Sequence, residues 1–284
     1  MRQVDAVVIG AGFGGLYMLY KLRGLGFSVQ GFEIGDDVGG TWYWNRYPGA
    51  RCDVESLDYS YSFDPKLEQE WDWSERYATQ PEILRYLRHV ADRYDLRPLI
   101  SFETRVERAE WREAERRWTV TVDGHEPVDA QYLIMATGSL SAGKTPDLEG
   151  LSDFAGDVYF TGNWPHDGVD FSGRRVGVIG TGSSGIQAIP LIAEQAAHLT
   201  VFQRTPSFTI PAHNRPLTSE EVAERRHGYR EHRAAMRQTR AGVRFETTGK
   251  GAHEVEEDER REGFERAWAI GGAGFGSMFT DTII

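Results

Sequence analysis

Gly10-Ala11-Gly12-Phe13-Gly14-Gly15 is the stretch that decides the fold, and we call it the first glycine turn. It follows a short apolar run at residues 4–9, which is typical of a parallel strand buried on both faces. Apolar side chains at helical spacing follow at residues 16–25. A second predicted strand, residues 27–32, ends at Glu33. The order strand, glycine turn, helix, strand predicts a β-α-β unit that binds a dinucleotide.

Each part of this unit has a physical role. Gly10 permits the tight turn, Gly12 lets the backbone approach a pyrophosphate, and Gly15 lets the helix pack closely on the strand. The N–H groups at the helix N-terminus are then available to phosphates. Glu33 lies 23 residues after Gly10, where a carboxylate can accept hydrogen bonds from an adenosine ribose. A plain structural turn is the alternative, but strand, helix and acid all fall where a nucleotide site needs them.

A second unit repeats this order later in the chain. A predicted strand at residues 175–179 leads into the second glycine turn, Gly180-Thr181-Gly182-Ser183-Ser184-Gly185, and then into a helix. The next predicted strand, residues 199–202, is followed by Gln203, Arg204 and Thr205 instead of an acid. Arg204 lies 24 residues after Gly180, where a guanidinium can bind a 2′-phosphate. The alternative is an ordinary solvated surface arginine.

The two units therefore favour different ligands. Glu33 would repel a 2′-phosphate and suits FAD or NAD, whereas Arg204 suits NADP. One chain with both sites is most simply a flavoprotein that NADPH reduces. The residues alone thus predict FAD and NADPH as cofactors.

Composition excludes several other classes of protein. The chain has 284 residues and a formal net charge of −11, which argues against non-specific binding to nucleic acid. No apolar stretch is long enough to span a membrane, and the single cysteine, Cys52, excludes an internal disulfide framework. The scattered histidines show no metal-ligand spacing, so we expect no metal. We expect a cytoplasmic protein.

Further segments carry a family resemblance. An aromatic, glycine-bounded loop at residues 39–49 continues into residues 50–56, and a predicted strand at residues 132–138 ends in Ala-Thr-Gly. Residues 154–165, which we call the fingerprint, match the pattern Phe-x-Gly-x-x-x-His-x-x-x-Trp-Pro just before the second glycine turn. The matching residues are Phe154, Gly156, Trp164 and Pro165. The chain resembles the N-terminal half of the Baeyer–Villiger flavoprotein monooxygenases.

This resemblance implies an activity. Members of that family use NADPH and O2 to convert a small-molecule ketone into an ester or lactone through a C4a-peroxyflavin. Asp53 matches the family's catalytic aspartate, which positions an arginine that stabilises the peroxide anion. That arginine comes from a later segment, outside this chain. The alternative for Asp53 is a loop cap after Cys52.

The resemblance also implies the cofactor contacts. The residues expected to hold the adenosine end of FAD are Gly10, Gly12, Gly15 and Glu33. Those expected along the rest of FAD are Thr41, Trp42, Asp53 and Tyr59, with Val106 on the adenine side. Those expected to face the nicotinamide nucleotide near the flavin are Arg51 and Asp53. Those expected around its phosphates are Gly180, Thr181, Gly182, Ser183, Ser184 and Gly185 at the pyrophosphate, and Arg204 and Thr205 at the 2′-phosphate.

One position departs from the family. Phe160 occupies the fingerprint's histidine position, and phenylalanine can neither donate nor accept a hydrogen bond there. This departure, together with the family segments beyond residue 284, keeps open a non-catalytic relative that binds FAD and NADP. A flavin monooxygenase acting on nitrogen or sulfur is the other alternative, although Trp164 and Pro165 argue against it.

The expected fold is α/β, with two Rossmann-like dinucleotide-binding domains and a helical insertion. We expect the first part of the FAD domain at residues 1–138, and a linker with the first part of the NADP domain at 139–211. The helical insertion is expected at 212–284, where the chain stops short of the family's length. Smaller elements predicted are helices within 71–97 and 254–268, a hairpin at 106–123, a capping box at Thr218 and a flexible loop at 271–276.

Overall fold

The computed structural model describes residues 2–141, 143–239, 242–243 and 246–282. The chain divides into two compact units. The first comprises Met1–Ala50, Gln80–Val178 and Ser183–Thr200, and the second comprises Arg51–Thr79, Ile179–Gly182 and Val201–Ile284. The domain bounds given above stay a prediction. Ile283 and Ile284, at the end of the expected helical insertion, lie outside the described residues.

The regular elements follow one another from a strand at the N-terminus to a helix near the C-terminus. In chain order they are β1 (Arg2–Ile9), α1 (Phe13–Gly24), β2 (Val29–Phe32), α2 (Thr41–Trp44), α3 (Pro65–Glu70), α4 (Gln80–Arg93), β3 (Ile100–Ser101), β4 (Val106–Arg112), β5 (Arg117–Val122), β6 (Val128–Met135), β7 (Arg175–Ile179), α5 (Ser183–Ala193), β8 (His198–Phe202), α6 (Ser219–Met236) and α7 (Glu257–Ile270). Short 3-10 helices occur at Arg97–Leu99, Leu151–Asp153 and Gly272–Ser277.

A six-stranded sheet with the order β3-β2-β1-β6-β5-β4 organises the first unit. Strand β1 lies near its centre and pairs in parallel with β2 and β6, so that Ala6 lies beside Val29 and Tyr132. The apolar run predicted this placement, since Val7 and Val8 of β1 are fully buried. The predicted hairpin is confirmed as the antiparallel pair β4–β5, with Trp111 opposite Trp118. The α/β fold with a parallel-dominated sheet is confirmed.

The predicted helical segments within residues 71–97 are partly wrong. Helix α4 begins only at Gln80, and it buries Ile83, Leu87 and Val90. Residues 74–79 form bends and isolated β-bridges and pair on both sides. Cys52 donates its N–H to Ala78 at 3.1 Å on one side. On the other side Leu217 donates to Ser74 at 3.0 Å. Partners distant in sequence therefore take the backbone groups that a helix would have satisfied internally.

The second unit contains the charged helices. The capping box at Thr218 is confirmed, because its side chain accepts from Glu221 N–H while the Glu221 carboxylate accepts from Thr218 N–H. The flexible loop expected at residues 271–276 is wrong, since Gly272–Ser277 forms a 3-10 helix. Phe275 of this helix stacks on Phe264 with ring centroids 5.3 Å apart, which anchors the glycine-rich turn.

Among residues 2–141, 143–239, 242–243 and 246–282, no helix is long and apolar enough to cross a membrane. Within the same ranges, no group of three or more His, Cys, Asp or Glu residues is arranged to hold a metal ion.

Candidate cofactor sites

The first glycine turn is shaped by backbone crowding that only glycine tolerates. Gly10 has φ +102°, and a Cβ atom there would lie 2.5 Å from the carbonyl oxygen of Ala136, just after β6. A Cβ atom on Gly15 would lie 1.8 Å from the carbonyl oxygen of Gly10. The turn therefore brings β1, α1 and the end of β6 together as the sequence predicted.

Gly12 lies against a residue that the sequence analysis did not single out. A Cβ atom on Gly40, which has φ +52°, would lie 2.8 Å from the Cα atom of Gly12. The chain before α2 thus crosses the first glycine turn backbone to backbone. Gly12 is also the N-cap of α1 and offers no side-chain cap, which leaves the helix N-terminus suited to an anion. The Gly39-Gly40 pair beside the aromatic residues was the available signal for this crossing.

Glu33 organises the backbone at the end of β2. Its side chain is buried, with a residue exposure of 5%, and Oε2 accepts a 2.7 Å hydrogen bond from Ala11 N–H. The other oxygen, Oε1, accepts from Gly35 N–H at 3.0 Å. The carboxylate therefore ties the first glycine turn to the loop that follows β2. Each carboxylate oxygen has two lone pairs, so these bonds leave acceptor capacity for a ribose hydroxyl.

The loop between β2 and α2 is held by a cluster of charges around Asp37. Arg97 donates to Oδ1 at 2.7 Å and Arg88 donates to Oδ2 at 2.6 Å. Burial by itself raises the pKa of Asp37. The hydrogen bonds from Arg97 and Val38 N–H, together with the two guanidinium charges, outweigh burial and hold the pKa below its ordinary value. This cluster fixes the loop that leads to Gly40.

Helix α2 carries two of the predicted flavin residues. Thr41 is half-buried and Trp42 is buried, and the carbonyl of Trp42 accepts a hydrogen bond from the Gln80 side chain. The loop after α2 packs on α5, since the Tyr47 hydroxyl donates to Gln187 Oε1 at 2.9 Å. A Cβ atom on Gly49 would lie 2.3 Å from the carbonyl oxygen of Gln187. Within the first unit, the aromatic loop therefore joins α2 to the helix of the second glycine turn.

The second glycine turn repeats the local geometry of the first. Gly180 has φ +101° and donates its N–H to Phe202 O at 2.9 Å, just as Gly10 donates to Phe32 O at 2.8 Å. Gln203 follows β8 as Glu33 follows β2, and its Nε2 donates to Thr181 Oγ1 at 2.9 Å. In both β-α-β units, the residue after the second strand therefore contacts the second residue of the glycine turn. A neutral amide replaces the carboxylate, and sequence reasoning missed this role of Gln203.

The predicted 2′-phosphate residues lie at the surface. Arg204 and Thr205 are both exposed and follow Gln203 directly. Among the described residues, Arg204 forms no ion pair. No carboxylate of the described residues therefore neutralises its guanidinium.

The other predicted flavin-side residues occupy different surroundings. Asp53 is exposed, whereas the neighbouring Cys52 is buried, and burial raises the pKa of its thiol to about 11. Tyr59 is half-buried, and its N–H donates to Glu55 O at 2.9 Å. Val106 opens β4 and packs against the core of the six-stranded sheet.

Arg51 belongs to an ion pair. Its Nη1 lies 3.1 Å from Glu75 Oε2, and both side chains are 32% exposed. The site assignments of Arg51, Asp53, Tyr59 and Val106 stay predictions.

The fingerprint has a structural role at its tryptophan. Trp164 is buried and packs with Phe171 against Ala188 and Ile192 of α5. Phe160 is half-buried, and its carbonyl accepts a 3.0 Å hydrogen bond from Asn163 N–H. The backbone turn at the fingerprint's histidine position therefore forms with phenylalanine in place.

Comparison with known families agrees with this geometry. Residues 7–262 match the family model described as pyridine nucleotide-disulphide oxidoreductase. The chain belongs to this family. The match spans both glycine turns, at residues 10–15 and 180–185.

Within this family, individual relatives are flavin monooxygenases. The chain is 46% identical over 276 residues to a Baeyer–Villiger monooxygenase from Pseudooceanicola batsensis, covering 97% of the chain and 50% of the relative. It is 45% identical to phenazine N-monooxygenase PhzNO1 from Lysobacter antibioticus, with 97% of the chain and 51% of the relative covered. A solved structure, an oxidised steroid monooxygenase bound to NADP, matches with a TM-score of 0.94 and 55% identity over 98% of the chain and 53% of that structure. The resemblance to Baeyer–Villiger monooxygenases is confirmed, and the chain spans about half the length of these relatives.

Proposed function

We propose that the protein is an FAD-dependent monooxygenase that uses NADPH and O2 to convert ketones into esters or lactones. The observation that carries the proposal is the contrast between two equivalent positions. Glu33 presents a carboxylate to the first glycine turn, whereas Gln203 presents a neutral amide to the second and is followed by Arg204. One site then suits a dinucleotide with a free ribose, and the other suits a 2′-phosphorylated one.

The residues around the first glycine turn fit FAD. The crossing of Gly12 and Gly40 exposes backbone and an uncapped helix N-terminus, which suits a pyrophosphate. Glu33 would accept from the ribose, and Thr41 and Trp42 would line the remainder of the cofactor. When bound and reduced, FAD supplies the oxygen-activating chemistry. The buried Trp42 would keep bulk water from its flavin end.

The residues around the second glycine turn fit NADPH. Gly182 has open space where a Cβ atom would stand, so the backbone is approachable by a pyrophosphate. Arg204 and Thr205 would bind the 2′-phosphate, with the guanidinium giving charge-assisted hydrogen bonds. Arg51 and Asp53 would face the nicotinamide nucleotide. Asp53, which is exposed, would position a cationic group of the complete site.

N-oxygenation of an aromatic heterocycle is a second candidate. The 45% identity to a phenazine N-monooxygenase favours it, because that relative matches almost as well as the Baeyer–Villiger monooxygenase. Both reactions need the same two cofactor sites. The substrate atom that receives oxygen therefore separates them.

Oxygen consumption by the purified protein with FAD and NADPH tests the proposal. We expect consumption to rise with cyclic and aryl ketones, and mass spectrometry to find products heavier by one oxygen atom that hydrolyse as esters or lactones. N-oxides from a phenazine panel, without ester products, would support the second candidate. If a protein that includes the later segment with the catalytic arginine binds both cofactors without substrate-dependent consumption, it is a non-catalytic relative.

A further inference from the structure

An irregular three-segment layer in the second unit surrounds Arg51. Residues 74–79 form its centre and pair with residues 51–56 on one side and 214–217 on the other. Arg51 and Thr79 form an isolated antiparallel β-bridge across the first boundary, and Glu75 and Pro216 form one across the second. The layer therefore places Glu75 between the segment that carries Arg51 and a segment about 160 residues later.

Glu75 contacts side chains from both flanking segments with the same oxygen atom. Its Oε2 accepts from Arg51 Nη1 at 3.1 Å and also from Asn214 Nδ2. Asn214 is fixed in turn, because its Oδ1 accepts a 3.0 Å hydrogen bond from Tyr77 N–H. The carbonyl of Tyr77 lies 3.4 Å from Arg51 Nη1. The carboxylate is thus held in one orientation, and it holds one nitrogen of the guanidinium.

We propose that Glu75, oriented by Asn214, is a positioning residue that sets the Arg51 guanidinium for the nicotinamide nucleotide. This inference rests on the proposed function, in which Arg51 faces that nucleotide. A free arginine loses rotamer freedom when it binds a ligand, and a guanidinium already held by a carboxylate loses less. Glu75 then contributes to nucleotide binding only through Arg51.

The same layer provides a matched control. Arg76 donates to Glu55 Oε1 at 2.9 Å from Nε and at 2.7 Å from Nη2, which links residues 51–56 and 74–79 a second time. The exposed fraction of the Glu55 side chain, 39%, is close to the 32% of Glu75. Glu55→Gln therefore removes a comparable carboxylate from the same boundary without touching Arg51.

Calorimetric titration of the FAD-loaded protein with NADP+ tests the inference. We expect Glu75→Gln to weaken binding by roughly three- to tenfold, from the lost preorganisation of one arginine. Glu55→Gln should change binding less than twofold, although both variants should lower the melting temperature similarly. Glu75→Asp, which keeps the charge, should recover part of the affinity.

The decisive comparison is made in an Arg51→Met background. There Glu75→Gln should weaken NADP+ binding less than twofold, since the residue through which it acts is gone. Asn214→Ala removes a hydrogen bond to Glu75 without changing the charge. Its effect on NADP+ binding should likewise disappear in the Arg51→Met background. This variant replaces Glu75→Gln if Glu75→Gln folds poorly.

Three results would overturn the inference while the proposed function stands. The losses of NADP+ affinity from Glu75→Gln and Arg51→Met could be additive, or Glu55→Gln could weaken NADP+ binding as much as Glu75→Gln does. Glu75→Gln could also bind NADP+ more tightly than the wild type. A wild-type protein that does not bind NADP+ would overturn both.

Discussion

Gln203 donates a 2.9 Å hydrogen bond to Thr181, at the position where Glu33 accepts one from Ala11 in the first unit. The two β-α-β units therefore share a contact and differ in its charge. A carboxylate on the first glycine turn disfavours a 2′-phosphate, whereas an amide on the second tolerates it. Together with Arg204, this difference supports the proposal that FAD binds at the first turn and NADPH at the second.

Gln203→Glu should move the preference of the second site away from NADPH. The new carboxylate would repel the 2′-phosphate and could accept from a free ribose, so we expect about tenfold weaker NADP+ binding and stronger NAD+ binding. Titration with both nucleotides measures this. Gln238→Glu adds the same charge at another exposed glutamine of the second compact unit and serves as the control. Equal effects of the two substitutions would contradict a local role for Gln203.

Arg204→Ala should weaken NADPH and leave NADH nearly unchanged. A charge-assisted hydrogen bond contributes about 1.5–3 kcal/mol, which corresponds to roughly ten- to a hundredfold in affinity. The exposed position of Arg204 places the expected loss near the lower end. If both nucleotides lose affinity equally, Arg204 does not recognise the 2′-phosphate.

Glu33→Gln should destabilise the protein even without FAD. Glutamine has one acceptor oxygen, so its NH2 group would face either Ala11 N–H or Gly35 N–H and leave that buried donor unpaired at a cost of about 1–3 kcal/mol. Denaturant unfolding of the FAD-free protein measures the free energy of unfolding. Unchanged stability with weakened FAD binding would show that Glu33 serves only the ribose.

Much of this arrangement followed from the sequence because it is local. Strand β7 was predicted at the bounds it occupies, and the Thr218 capping box formed as its spacing indicated. Residues 74–79 could not be predicted, because their hydrogen-bond partners lie at residues 51–56 and 214–217.

The hydrogen bond from Gly35 N–H to Glu33 could not be predicted for the same reason. A ribose contact is predicted from the spacing of the glycine turn, but the hydrogen bond from Gly35 N–H depends on the path of the loop after β2. Gln203 was visible only as a missing acid, and its contact with Thr181 needed the structure.

Gly15→Ala and Gly14→Ala should affect stability differently although the residues are adjacent. A Cβ atom on Gly15 would lie 1.8 Å from Gly10 O, whereas one on Gly14 would meet only the Ala136 Cβ atom at 3.9 Å. We expect Gly15→Ala to cost about 3 kcal/mol of stability. Gly14→Ala should be neutral, or stabilising by up to about 1 kcal/mol, since alanine favours the helix. Thermal unfolding of the FAD-free variants distinguishes them, and similar melting temperatures would contradict the crowding at Gly15.

Acid should loosen the loop that Asp37 holds. In the folded protein the pKa of Asp37 lies below its ordinary value of about 4. The ionised carboxylate therefore stabilises the fold at pH values above the pKa of the unfolded state. This stabilisation is lost as the pH falls through the pKa of the folded state. The difference in melting temperature between wild type and Asp37→Asn should therefore be constant above about pH 5 and shrink below about pH 4. A difference that grows on acidification would contradict the ion cluster with Arg88 and Arg97.

We propose that one chain positions FAD in the first site and NADPH in the second. Anaerobic mixing of the FAD-loaded protein with NADPH, followed by loss of the oxidised flavin absorbance, tests it most directly. We predict that NADPH reduces the flavin, that NADH does so far more slowly, and that Arg204→Ala removes most of this preference. Absence of flavin reduction, or equal rates with both nucleotides, would contradict the account.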